Sequence, residues 1–406
     1  MTLRPSRSGP PGEATVGERA PAPSRPVPGP SAAPLRVLHI NTEKGWRGGE
    51  QQALYLAEGL ARRGVVNLCV GQPDKPYVER CAAKGLAVEA IRTRGEADPI
   101  GVARLRALIR TWRPDVVHMH TSHAHTLGVL AARSSGVGVG RPRTVVSRRV
   151  DFSIYRNALR LSWFKYRFGV DRYIAISRGV RAQMTKDGIP DDRIRIVHSG
   201  IDLARFDGVA PHDYAAEFGW PAGTRVVLDV AAFGWHKAQE VLVRATPRIL
   251  AAFPGARVVL AGEGECEARV RAEAKALGLE REIVFAGFRT DVPSLLAGAD
   301  CFVMCSVLEG LCTSLLDALA LRRPAVGSAV GGIPEVLIDD RTGLLVPPRD
   351  PAALAAAVVR VLGDGALAAR LGDAGRAHVE REFTTDAMVE GNLGVYRELL
   401  GGEPAR

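Results

Sequence analysis

The chain has 406 residues, 46% of them hydrophobic and 24% charged, with a formal net charge of +10. That length predicts two domains, each large enough for its own core. No apolar run reaches the roughly eighteen residues that a membrane-spanning helix needs, and the N-terminus lacks an apolar h-region, so no signal peptide is expected.

The charge is uneven: residues 35–203 carry +14 and residues 204–406 carry −6. A basic first half suggests an anionic partner (phosphorylated lipid, membrane surface or nucleic acid) or no more than an Arg-rich composition. The six cysteines, Cys69, Cys81, Cys266, Cys301, Cys305 and Cys312, form no CxxC pair. They read as buried thiols of a reducing compartment.

Residues 1–34 are rich in Pro, Ser, Gly and Arg, and disorder is expected there. Leu35–Asn41 reads as a buried strand, and an amphipathic helix follows through Arg63. Gly48 and Gly49 let a backbone approach a ligand at that helix's N-terminus. Their spacing is not GxGxxG, so the dinucleotide reading is weak. Segments Val65–Val70, Tyr77–Lys84, Ala87–Ile91, Pro99–Thr111 and Asp115–His118 alternate between strand and helix. That order predicts an α/β fold with a doubly wound parallel sheet. His118, His120, His123 and His125 cluster in the next loop. Such a cluster suits a metal, but no carboxylate or cysteine lies at ligand spacing nearby. Thr144–Arg149 reads as a strand ending in Arg148 and Arg149, with Arg149 a cation for an anionic group. In Ser153–Tyr173, Arg156, Arg160, Lys165 and Arg167 alternate with Tyr155, Trp163, Phe164, Tyr166 and Phe168. This helix is either a membrane or lipid-acceptor face or a sheet-packed helix with snorkelling bases.

In the second half, Arg225–Ala231 reads as a strand. Lys237 precedes a helix and can reach a phosphate as a point charge. Ala256–Gly262 ends in a turn with Glu263 and Gly264, and Ile283–Phe288 ends at Arg289. Such carboxyl ends of strands are where open α/β sheets bind ligands. Val307–Pro347 reads as loop, helix, strand, Gly-rich turn, helix start and strand. Glu309 and Asp317 are eight positions apart, which on one helix is about 12 Å along a shared face. Gly310 opens that helix, and the amides of Leu311, Cys312 and Thr313 in its first turn suit an anion. The plainer alternative is two acids that favour the helix dipole. Asp350–Leu362, Ala366–Phe383 and Thr385–Leu400 close the chain as helices.

The stretch around Val307–Pro347 resembles the signature of the retaining "group 1" glycosyltransferases, which have the GT-B fold. Ser306, Glu309, Gly310, Asp317, Pro324, Gly331, Gly332, Pro334, Glu335, Thr342, Gly343 and Pro347 fall in register with it. Asp317 stands where the family usually has Glu, and Cys312 where it usually has Gly. Ser199-Gly200-Ile201-Asp202 with Phe206 resembles the family's end of the first domain. After the tail over 1–34, the resemblance implies an N-terminal Rossmann-like acceptor domain over 35–203, a Rossmann-like donor domain over 204–385, and a terminal helix over 386–406 that returns to the first domain.

The implied activity is transfer of a sugar, as expected of a hexosyltransferase, from a nucleotide-sugar to a glycan or phosphorylated-lipid acceptor, with retention. The implied setting is cell-envelope glycoconjugate or lipopolysaccharide synthesis, in the cytoplasm, with peripheral contact at the inner face of the membrane. Glu309 then holds the sugar hydroxyls, Asp317 the ribose, and Lys237 with the Gly310–Thr313 amides the diphosphate. Gly48 and Gly49 border the diphosphate, while Gly262, Glu263, Phe288 and Arg289 line the base pocket. Arg149 takes a place near the transferred sugar where many members have His. Ala232 stands where a second cation is usual. The leaving phosphate oxygen is expected to take the acceptor proton, with no protein base, metal or cofactor. The departures at Ala232, Cys312, Asp317 and Arg149 keep one alternative open: a catalytically weak nucleotide-sugar-binding scaffold of the same fold. No nucleic-acid motif or aromatic platform is present, so no nucleic-acid partner is expected.

Overall fold

Strands of a parallel sheet covered by helices on both faces are apolar at nearly every position. Val116–Met119 and Cys301–Met304 follow that rule and are buried along their whole length. The structure, a computed structural model, describes residues 33–96, 98–136, 140–154 and 165–401. Strands β1 (Arg36–Ile40), β2 (Val66–Gly71), β3 (Ala87–Ala90), β4 (Val116–Met119), β5 (Arg143–Arg148), β6 (Arg172–Ala175) and β7 (Ile194–Ile196) form a first sheet. Its order is β3-β2-β1-β4-β5-β6-β7, with every neighbouring pair parallel. Strands β8 (Val226–Val230), β9 (Arg257–Ala261), β10 (Ile283–Gly287), β11 (Cys301–Met304), β12 (Ala325–Ser328) and β13 (Leu344–Val346) form the second. Its order, β10-β9-β8-β11-β12-β13, repeats the pattern, again all parallel.

In each sheet the winding reverses at one place, between β1 and β4 and between β8 and β11. Chains leaving those neighbours turn away in opposite directions, and a crevice opens beyond their carboxyl ends. The segments after β1, β4, β5, β8, β9, β10 and β11 carry the candidate residues.

The two sheets are joined by paired crossings. The chain passes to the second sheet near Ile201 and returns at Thr384, where the two strands form a parallel bridge. The Ile201 N–H donates to the Phe383 carbonyl (2.8 Å) and the Thr385 N–H to the Ile201 carbonyl (3.1 Å). Gly200 lies so close to the Thr384 backbone that a Cβ there has no room. The last helix, Thr385–Leu399, then packs on the helix Gly48–Arg62, with Gly59 seated against the Val389 side chain. Its Tyr396 is fully buried, and the hydroxyl lies 2.6 Å from His118 Nδ1 on β4. Tyr396→Phe strands a buried ring nitrogen, and urea denaturation is expected to show a loss of about 1–2 kcal/mol. An unchanged midpoint would mean that the hydroxyl adds nothing.

Residues 1–32 lie outside the described residues, and with them nearly all of the Pro-rich tail. So do 155–164, which include Tyr155, Arg156, Arg160, Trp163 and Phe164 of the aromatic and basic stretch. No single helix among the described residues is long and apolar enough to cross a membrane; Pro351–Gly363 and Gly365–Glu382 meet length and composition only together, across a bend of 101°.

Candidate active site at the facing strand ends

The helix reading of the Glu309 region needs correction. The helix begins only at Thr313 and runs to Ala320, so Glu309, Gly310, Leu311 and Cys312 belong to the loop after β11. Two contacts hold that loop out of helical geometry. Cys312 adopts a left-handed backbone (φ 72°), which no α-helix contains. Gly310 presses on the Arg149 carbonyl from the first sheet, where even a Cβ would collide. Glu309 and Asp317 therefore do not share a helix face; only Asp317 is helical.

The loop brings Glu309 onto Lys237. The Lys237 Nζ is ion-paired with Glu309 Oε2, and Ser306 Oγ donates to the same oxygen (3.2 Å). Both side chains are largely buried, 17% and 12% exposed. Burial works to lower the Lys237 pKa, but the Glu309 charge overrules it and holds the ammonium above its ordinary value. The Glu309 N–H donates to Asp151 Oδ2 (3.0 Å), in the loop after β5. Gly332 donates its N–H to the Glu309 carbonyl (3.1 Å). Glu309 is thus fixed from both sides of the cleft.

Two helix N-termini meet beside this pair. A Cβ on Gly48, the first residue of Gly48–Arg62, would stand 3.6 Å from Thr313 Oγ1, the first residue of Thr313–Ala320. The first amides of a helix have no intrahelical partner and the dipole is positive there. Facing ends, with Lys237 adjacent, make a seat for an anion. Gly49 approaches the Arg149 side chain, 3.6 Å from Cδ to a built Cβ. Asp317, one turn into the second helix, has a buried Oδ1 without any hydrogen-bond partner. Burial raises its pKa to about 6, against the opposing charge of Arg205. Cys312 is no nucleophile: burial first, then the Glu309 charge, pushes its thiol up to about 12.

The histidines sort differently from the expected cluster. His123 is exposed, and His125 is buried against Tyr166 and Tyr173. His118 and His120 instead join His39 of β1, with ligand atoms within 4.8 Å of one another. All six ring nitrogens are engaged. Asn67 donates its amide to the Ala57 and Val65 carbonyls, so its oxygen accepts from His39 Nε2 (3.1 Å). His39 Nδ1 must then accept from His120 Nε2 (3.0 Å), and His120 Nδ1 accepts from the Arg149 guanidinium (3.2 Å). His118 lies against Tyr396 and, at 2.8 Å, Ser147 Oγ. Burial lowers all three pKa values, His39 to about 4, with the charge of Arg149 a further cause at His118 and His120. The trio is a chain of neutral rings that orients Arg149. Arg149 also donates to the His120 carbonyl (3.1 Å). Sequence reading missed His39, whose only signal is one polar residue inside an apolar strand.

The residues expected to line a base pocket fall at the ends of β9 and β10. Gly262 and Gly264 press on the backbone of Ala231 and Phe233, and the Glu263 carbonyl accepts from the Phe233 N–H (3.0 Å). This turn shapes the strand end, while the Glu263 side chain is exposed. The Phe288 side chain is 71% exposed. Arg289 is ion-paired with Glu217 and Asp291, whose carboxylates hold its pKa above the ordinary value. The Glu335 of the Gly-Gly-x-Pro-Glu turn also has a structural task. Its carboxylate accepts from the Arg178 N–H (2.6 Å) and lies 2.9 Å from His198 Nε2, tying the second sheet's domain to the first.

Two family models match the chain: Glycosyltransferase Family 4 over residues 46–205 and Glycosyl transferases group 1 over residues 212–378. The chain is 31% identical over 354 residues to the 2-deoxystreptamine N-acetyl-D-glucosaminyltransferase of Streptomyces fradiae, covering 78% of this chain and 82% of that protein. It is 24% identical over 371 residues to the lipopolysaccharide core biosynthesis glycosyltransferase LpsE of Rhizobium meliloti, covering 91% and 100%. Among solved structures, Anabaena HepE in complex with UDP and glucose superposes with a TM-score of 0.75 at 18% identity, covering 90% of this chain and 100% of that one. The paired crevices and these likenesses lead to one conclusion: the chain belongs to the group 1 glycosyltransferases and has their GT-B fold, two Rossmann-like domains facing across a cleft.

Proposed function

We propose that this enzyme moves a sugar from a nucleotide-sugar to a hydroxyl of a glycan or lipid-linked acceptor, with retention and without a metal, in the synthesis of a cell-envelope glycoconjugate such as lipopolysaccharide. The observation that carries this reading is the Lys237–Glu309 pair beside two facing helix N-termini. An arriving diphosphate takes the amides and the ammonium, and Glu309 is then released toward sugar hydroxyls. The unpartnered Oδ1 of Asp317 accepts from a ribose hydroxyl. Arg149, held by the histidine chain, adds positive charge at the same seam. Leaving-group charge is met by preorganised donors rather than by an ion. The leaving oxygen takes the acceptor proton. The relatives support the substrate class: HepE was solved with UDP and glucose, and LpsE is named for lipopolysaccharide core synthesis. The protein works in the cytoplasm at the inner membrane face, drawn there by the charge of residues 35–203; absence of binding to anionic vesicles at low salt would contradict this.

The test is a thermal-shift screen of UDP, GDP, ADP and their common sugar conjugates. One nucleotide family is expected to raise the melting temperature, and its sugar conjugate to raise it further. Glu309→Ala removes the extra shift of the conjugate. Asp317→Asn weakens binding of the bare nucleotide by about tenfold, the worth of one hydrogen bond to a charged group, and a 2′,3′-dideoxy nucleotide shows no such difference. Activity persists in EDTA, and the product keeps the donor's anomeric configuration. No shift with any nucleotide would sink the donor assignment.

A further inference from the structure

Asp229 lies on β8, the strand that ends at the second crevice, and is 1% exposed. Neither carboxylate oxygen has a hydrogen-bond partner. The charged and polar groups facing it are Lys237, Gln239 and Glu309, with the Cys305 thiol of the neighbouring loop. Lys237 is already ion-paired with Glu309. Gln239 donates its amide N–H to the Ala232 carbonyl (3.2 Å), which turns its Oε1 away from that carbonyl, and this oxygen is also buried without a partner. The Gln239 amide still pulls the Asp229 pKa down from nearby, but it makes no hydrogen bond to either oxygen, and the carboxylate is left buried without a donor in bonding range. An isolated buried anion is too costly to persist. One proton on Asp229 removes the buried charge.

We propose that Asp229 is a neutral carboxylic acid under the donor site, and that loss of its proton weakens diphosphate binding at Lys237. Ionised, Asp229 puts a second carboxylate beside Glu309 around a single ammonium, and the site turns from neutral to negative where a dianion must sit. Asp229 touches no substrate; it is a positioning residue that acts through Lys237. Burial raises its pKa to about 7, against the pull of Lys237, so the change falls within the working range of pH. The inference rests on the donor reading given above.

The sign for stability follows from linkage. A carboxyl with a raised native pKa disfavours folding once the unfolded chain has lost the proton. Asp229→Asn is therefore expected to melt above the parent at pH 8, with the gap closing toward pH 4. Asp229→Val, which suits a buried strand, should behave alike and guards against an idiosyncratic fold defect in one variant. UDP, GDP and ADP are then titrated calorimetrically at pH 6 and pH 8. The nucleotide that binds the parent is expected to weaken by about tenfold at pH 8, equivalent to about one pKa unit of coupling, while both variants hold the same affinity at both values. A melting gap that does not change with pH overturns the neutral acid. An affinity loss shared by parent and variants overturns its coupling to Lys237. If no nucleotide binds either form at pH 6, the donor reading itself fails and takes the coupling with it, although the melting gap still tests the proton.

Discussion

Lys237→Ala is expected to lower kcat/KM by about 10³-fold, the loss seen when one preorganised electrostatic partner is removed from a water-poor site. The ammonium lies between Glu309 and the anion seat, so its loss removes positive charge where the leaving diphosphate develops negative charge. Stability should fall as well, because the Glu309 carboxylate is left largely buried with the Ser306 hydroxyl as its remaining hydrogen-bond donor among the described residues. The double variant Lys237→Ala/Glu309→Ala, with no stranded charge, should be more stable than Lys237→Ala alone. Steady-state kinetics and urea unfolding of the three variants check this. Wild-type turnover in Lys237→Ala would remove Lys237 from the mechanism.

Gly310→Ala is expected to lower kcat by about 10²-fold, the order of loss caused by misplacing reacting groups by about 1 Å. The backbone of Gly310 is not in the left-handed region, so alanine is tolerated locally. The obstacle is across the cleft: a Cβ would collide with the Arg149 carbonyl. The methyl group therefore wedges the two domains apart and breaks the Glu309 N–H contact with Asp151. Lys237, Glu309 and Asp317 all belong to the second domain, so donor affinity should change far less than kcat. Gly365→Ala, where no atom lies within 4 Å of the new Cβ, is the control. A loss of donor affinity as large as the loss of kcat would show that the second domain itself had been disturbed.

These predictions draw on different levels of information. The alternation of strand and helix, the apolar strands and the Gly-rich turns mark two doubly wound domains in the one-dimensional order of residues, because periodicity and turn chemistry are local properties. Lys237 and Asp317 were likewise legible: one flanks a strand end, and the other sits on a helix with its N-terminus free for an anion. The ion pairs of Arg289 were not legible, because its partner Glu217 is distant in sequence and only the fold brings the two together. The helix start at Gly310 was misread because Arg149, 161 positions earlier in the chain, forces the loop aside. His39, Asn67, Tyr396 and Asp229 carry no motif. They become a proton-ordered chain under Arg149 and a neutral acid under Lys237 only when strands distant in sequence lie side by side and exclude water. Sequence alone thus determined the fold and the family. The tertiary structure decided which charges are paired, which are free and which protons stay on, because burial and hydrogen-bond completion are properties of packed surroundings rather than of residue type.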